Sequence, residues 1–132
     1  MKFMLMMHAP RGNGEYQVEG WSPAAFKAHI DYMLALNKDL GESGELVGAE
    51  GLAPPGAARL VRAGRNGAPP VTDGPFPEAK EYLAGYWIVE VDRAERALEI
   101  AVRASAAPGP DGKPLIIPIE VRQVMSAPPT EG

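Results

Sequence analysis

The sequence contains no cysteine, which excludes disulfides, zinc–thiolate sites and thiol nucleophiles together and fits a reducing compartment. Histidine is nearly as scarce: there are two, His8 and His29, and with no cluster of ligand residues around either, a metal centre is not expected. Cations are outnumbered, 13 Lys and Arg against 17 Asp and Glu for a net charge of -4. That balance argues against a nucleic-acid binder, which needs clustered positive charge against phosphate. No apolar run approaches the ~20 residues of a membrane helix. The apolar opening Met1 to Met7 is also too short for a signal sequence with its cleavage site. The expectation is a cytoplasmic protein that neither crosses nor binds a membrane. No fixed-period repeat occurs, and Gly/Pro bias is confined to residues 51–56, 64–70 and 107–114, which read as loops.

What is present is an ordinary globular composition, 45% hydrophobic and 23% charged over 132 residues, enough for one core and one domain. The domain is expected over residues 1–126, with a fraying tail over 127–132 that holds two prolines and no large apolar group. Met1 to Met7 reads as a buried strand. Ser22 suits an N-cap and Pro23 the first helical position, so a helix is predicted from there, with Phe26, Ile30, Met33 and Leu40 as its inward stripe, widened by Leu34 and Leu36. Gly41 and Gly44 can end it, and a strand over Glu45 to Glu50 follows. Gly85 to Val91 is rich in aromatic and β-branched residues, as a central strand prefers. Asp92 and Glu95 then resemble a capping box, with Ala94, Ala97, Leu98, Ala101 and Val102 as an apolar stripe. Leu115 to Met125 reads as the closing strand, interrupted near its start by Pro118. Between the two halves, Arg59 to Ala63 and Pro70 to Thr72 read as a short hairpin.

Two β-α-β units of this kind give an α+β fold, the ferredoxin-like split sheet with both helices on one face. The other face is left bare, yet both parities of its strands are apolar: Met4 and Met6 alternate with Phe3, Leu5 and Met7, and Tyr86 and Ile88 with Trp87 and Val89. Such a face measures roughly 400 Å². Covering it on two subunits gains at most ~20 kcal/mol against an association cost of ~4–15 kcal/mol. A sheet-to-sheet homodimer is therefore expected. Trp87 is expected in the core or the interface, and the methionines as adaptable packing.

The segment Thr72-Asp73-Gly74-Pro75-Phe76 is the candidate site, because Gly74 before Pro75 is pushed away from the helical region while Pro75 fixes its own φ and lacks a donor, so a stiff turn can fix the direction of the Asp73 carboxylate. The same spacing suits a purely structural turn, in which Asp73 accepts amides of its own turn and Phe76 plugs the edge of the core. Pro77 can open a short helical turn after it. Nearby, Lys80 could supply a charge and Tyr82 and Tyr86 hydroxyl donors to a ligand. His8 ends the first strand and His29 flanks the helix stripe; an imidazole beside a carboxylate can move protons near neutral pH, so His8 with Asp73 is the pair to test.

With Met1-Lys2-Phe3-Met4-Leu5-Met6-Met7, Glu50-Gly51-Leu52, the run from Thr72 to Glu81 and Ala84-Gly85-Tyr86-Trp87 in this order, the chain resembles the YCII-related, or DGPF-domain, family of small bacterial proteins. The resemblance implies a dimeric α+β barrel and no shared cofactor. It places Asp73 on the motif aspartate, shaped by Gly74, Pro75 and Phe76. Some YciI-like relatives pair a histidine with that aspartate in lyase-type chemistry, but neither His8 nor His29 falls on that histidine. The functional expectation is a protein that binds a small polar metabolite in a cleft, lined by Gly74, Pro75, Phe76, Lys80, Tyr82, Tyr86 and His29. It would act as a cofactor-free lyase or isomerase through Asp73 and His8. The alternative is a non-catalytic binding or regulatory module, for which an extracytoplasmic-function sigma factor is the partner implied by other relatives.

Overall fold

The first strand buries one parity of its side chains and leaves the other on the opposite face of the sheet. In a computed structural model of the chain, which describes residues 1–10, 20–64, 67, 71–73 (backbone only) and 80–125, strand β1 runs Lys2–Pro10 and buries Phe3, Leu5, Met7 and Ala9 on one side. Helices α1 (Pro23–Glu42) and α2 (Ala94–Ser105) pack on that side. Strands β2 (Leu46–Gly51), β5 (Glu81–Glu90) and β6 (Ile119–Gln123) complete the sheet in the order β2-β5-β1-β6, every neighbour antiparallel. Consequently β1 runs parallel to β2 and β5 to β6, as two β-α-β crossovers require. The arrangement is α+β and compatible with a ferredoxin-like fold. The expected hairpin is present as β3 (Arg59–Val61) against β4 (Val71–Asp73), a separate two-stranded sheet. The anticipated turn residues Gly74, Pro75 and Phe76, the helical turn from Pro77 and the tail 127–132 lie outside the described residues. Among the described residues, no helix is long and apolar enough to cross a membrane.

Local signals hold at the start of α1, where the Ala25 amide donates to Ser22 Oγ at 3.1 Å and Pro23 takes the first turn. At its end Ser43 is the C-cap and Gly44 adopts φ of 79°, a conformation glycine takes without steric cost. The rotation of the helix differs from expectation. His29, Leu36 and Leu40 are buried, with Met33 against the core, while Phe26, Ile30 and Leu34 are exposed by 44%, 38% and 59%. Positions 29, 33, 36 and 40 share one face. A histidine can lead that face because its Nδ1–H donates to the Pro108 carbonyl at 3.0 Å, and its ring stands edge-on to Trp21 at 5.3 Å. A satisfied polar group removes most of the penalty of burial.

Helix α2 departs in the same way. Its N-cap is Arg93 without a side-chain cap, so the Asp92–Glu95 capping box is not made; Ala97, Ile100, Ala101 and Ala104 turn inward, leaving Leu98 and Val102 exposed. The closing strand is shorter than expected, Ile119–Gln123, because Pro118 lacks a donor for the ladder and Ile116 takes φ of 56°. Strand β5 is longer, starting at Glu81, and its pairing with β1 slips one residue between Met7 and His8, so that Ala84 bulges.

Ion pairs fasten α2 to the segment entering β2. Arg96 donates to both oxygens of Glu45, at 2.8 and 2.9 Å, and Ser43 Oγ donates to the same carboxylate at 2.7 Å. The Arg96 hydrogen bonds first, and Ser43 second, hold the Glu45 carboxyl down from 4.5 to about 2. A depressed carboxyl binds protons less readily in the folded chain than in the unfolded one. Its stabilisation is therefore complete above pH 4.5 and drains as pH falls toward about 2. The guanidinium is partly solvated, so about 1–2 kcal/mol is expected. Urea unfolding of Glu45→Gln should show that deficit at pH 7 and almost none near pH 2; an equal deficit at both pH values would refute the coupling.

Candidate functional site

Side-chain alternation and the bulge at Ala84 together put His8 and Tyr86 on one side of the sheet and Tyr82 on the other. On the helix-free face, Met4 pairs with Ile88 and Arg122, and Met6 with Tyr86 and Glu120. His8 continues this row and its Nε2–H donates to Glu120 Oε1 at 2.8 Å. Among the described residues, the carboxylate that His8 meets is thus Glu120, from β6. Asp73 closes β4 opposite Arg59 in the smaller sheet. Tyr86 shares the row of Met6, whereas Tyr82 pairs with Ala9, which is buried toward the helices. Four residues apart on a regular strand they would share a face; the bulge separates them. Burial raises the Tyr82 phenol above its usual range, which keeps it a neutral donor. Lys80 is exposed just before β5. His29 lies under the segment after α2, held by Pro108.

The helix side holds a cleft of about 250 Å³ between α1 and the β2–β5 pair. Gly51 and Gly85, paired across the two strands, belong to its lining. A Cβ on Gly85 would stand 2.9 Å from the Glu50 carbonyl oxygen, so only glycine lets the strands close there. Met7, Met33 and Trp87 contribute to its walls, and Ile30 and Leu34 also border it, which accounts for two of the apolar residues that α1 leaves exposed. Trp87 is buried and its Nε1–H donates to Asn37 Oδ1 at 2.7 Å. An indole offers only a donor, so the amide oxygen must face it. The Nδ2 group of Asn37 has no hydrogen-bond partner among the described residues.

Two polar residues of these surfaces, Asn37 and Glu120, were not anticipated. A buried tryptophan needs an acceptor, which hints that some partner exists but not that it sits 50 residues away. Glu120 follows from register alone, as the β6 partner of Met6.

The molecule is thus an α+β protein with an apolar cleft beneath its first helix and a partly apolar, helix-free sheet face. The YCII-related domain matches residues 1–109. The chain is also 30% identical over 89 residues to the uncharacterised protein R00369 of Rhizobium meliloti (strain 1021), across 67% of this chain and 71% of that one. It belongs to the YCII-related domain family.

Proposed function

We propose that this chain is a small-molecule-binding module that holds its ligand in the cleft between α1 and β5 and pairs with a second copy through the helix-free face. The supporting observation is the cleft itself. Two glycine-containing segments, Glu50-Gly51 and Ala84-Gly85, meet in its lining, and the Leu52 amide donates to the Ala84 carbonyl at 2.9 Å beside it. A concave apolar site with few polar groups is the usual form of a small-ligand pocket.

A second reading, proton transfer by a cofactor-free lyase or isomerase, is favoured by the His8–Glu120 pair, since a carboxylate can orient an imidazole and leave Nδ1 to exchange a proton. Asp73 would then be the acid or base. His8 belongs to the row opposite the cleft, so the two readings concern different surfaces. A metabolite collection screened by thermal shift separates them, with product detection in parallel. Ligands that stabilise the wild type but not Ala49→Leu, which enlarges a lining side chain, are the expected result, with no product. Hits retained in full by Ala49→Leu would sink the cleft reading, and product formation abolished by His8→Ala would replace it with the enzymatic one.

A further inference from the structure

Resting on the cleft as the binding site, we infer that its ligand is a small uncharged molecule with a flat or compact apolar body and one carbonyl-type oxygen, which the Nδ2 group of Asn37 receives. Size comes first. At about 250 Å³ the cleft lies below the roughly 300–1,000 Å³ of sites for drug-sized ligands, so one or two rings fill it. Walls of methionine, alanine and tryptophan give an apolar body its environment, and thioethers adapt to its outline.

Polarity comes next. Trp87 takes Asn37 Oδ1 at 2.7 Å, so the amide cannot turn over without leaving a buried indole N–H unpaired. What Asn37 offers a ligand is therefore donation only. A ligand atom there must accept. Among the described residues no Lys, Arg or His belongs to the lining, so a carboxylate would lose its water there with no cation to pair with, while the Asn37 donors repel a cation. A ketone, lactone, amide or quinone oxygen satisfies both conditions.

Three probes of similar size test this: acetophenone, ethylbenzene, which lacks the oxygen, and benzoate, which is charged. The readout is the Trp87 indole Nε1–H resonance in wild type and in Asn37→Asp, a substitution that keeps an acceptor for Trp87 and removes both donors. Acetophenone is expected to bind at least about fivefold more tightly than ethylbenzene, which is one net hydrogen bond, and benzoate not to bind. In Asn37→Asp the acetophenone affinity should fall by about that factor and ethylbenzene should not change. Equal affinity for acetophenone and ethylbenzene in the wild type, or a preference for benzoate, overturns the inference and leaves the cleft a binding site. No response of Trp87 to any probe at millimolar concentration overturns the cleft reading with it. The wild-type comparison decides the matter even if the variant does not fold.

Discussion

Gly85→Val should lower the unfolding free energy by about 3 kcal/mol, measured by urea titration, and Gly85→Ala by somewhat less. Any Cβ at this position meets the Glu50 carbonyl oxygen at 2.9 Å and the Gly51 Cα at 3.4 Å. Both are backbone atoms of the neighbouring strand, so relief requires β2 to move away from β5 as a unit. The control is Gly48→Ala on the same edge strand, where an added Cβ meets nothing within 4 Å. It should be neutral or slightly stabilising, because alanine loses less conformational freedom on folding. If Gly85→Val matches Gly48→Ala, the close approach does not constrain the sheet. The packing around this point also explains why a glycine sits mid-strand between the cleft residues Ala84 and Trp87, where side-chain burial alone would favour a larger residue.

The second large effect concerns association. Under the proposed pairing, the wild type should sediment as a dimer at micromolar concentration, and Met6→Glu as a folded monomer, its dissociation constant raised at least about a hundredfold. Met6 lies in the middle of the helix-free face, between Tyr86 on one side and Glu120 on the other. A carboxylate introduced there would be desolvated by a partner copy with Glu120 already nearby, and an unpaired buried charge costs several kcal/mol. The fold itself should tolerate the change, because Met6 is absent from the buried cluster formed by Phe3, Leu5 and Met7 with the helices. Unchanged circular dichroism with halved mass is the signature. A wild type that sediments as single chains would show that this face is not an interface, whatever the variant does.

Local chemistry made most of the fold legible. Ser22 and Pro23 announce the start of α1, the apolar run Met1 to Met7 announces β1, and Pro118 marks a break just ahead of β6. Each of these depends on a residue and its near neighbours, so a sequence suffices. The family to which the chain belongs was equally visible. Other features of the surfaces were not. Both helices are rotated from their most apolar stripes, α1 toward His29 and α2 toward Ile100, leaving Phe26, Ile30, Leu98 and Val102 outside. The phase of a helix is set by what lies opposite, and the acceptor that permits His29 to be buried is the carbonyl of Pro108, 79 residues away.

The bulge at Ala84 shows the same division within one strand. Counting residues puts Tyr82 and Tyr86 on one face; a single unpaired residue in the register with β1 moves them apart. Likewise His8 invites a carboxylate, but which one depends on the strand that pairs beside it, and that strand brings Glu120. By itself the sequence determined the element types, their order and the α+β class, because periodicity, caps and turn residues are short-range properties. Only the tertiary structure decided helix phase, register and therefore the cleft with its oriented Asn37, because those depend on atoms that meet across long stretches of chain.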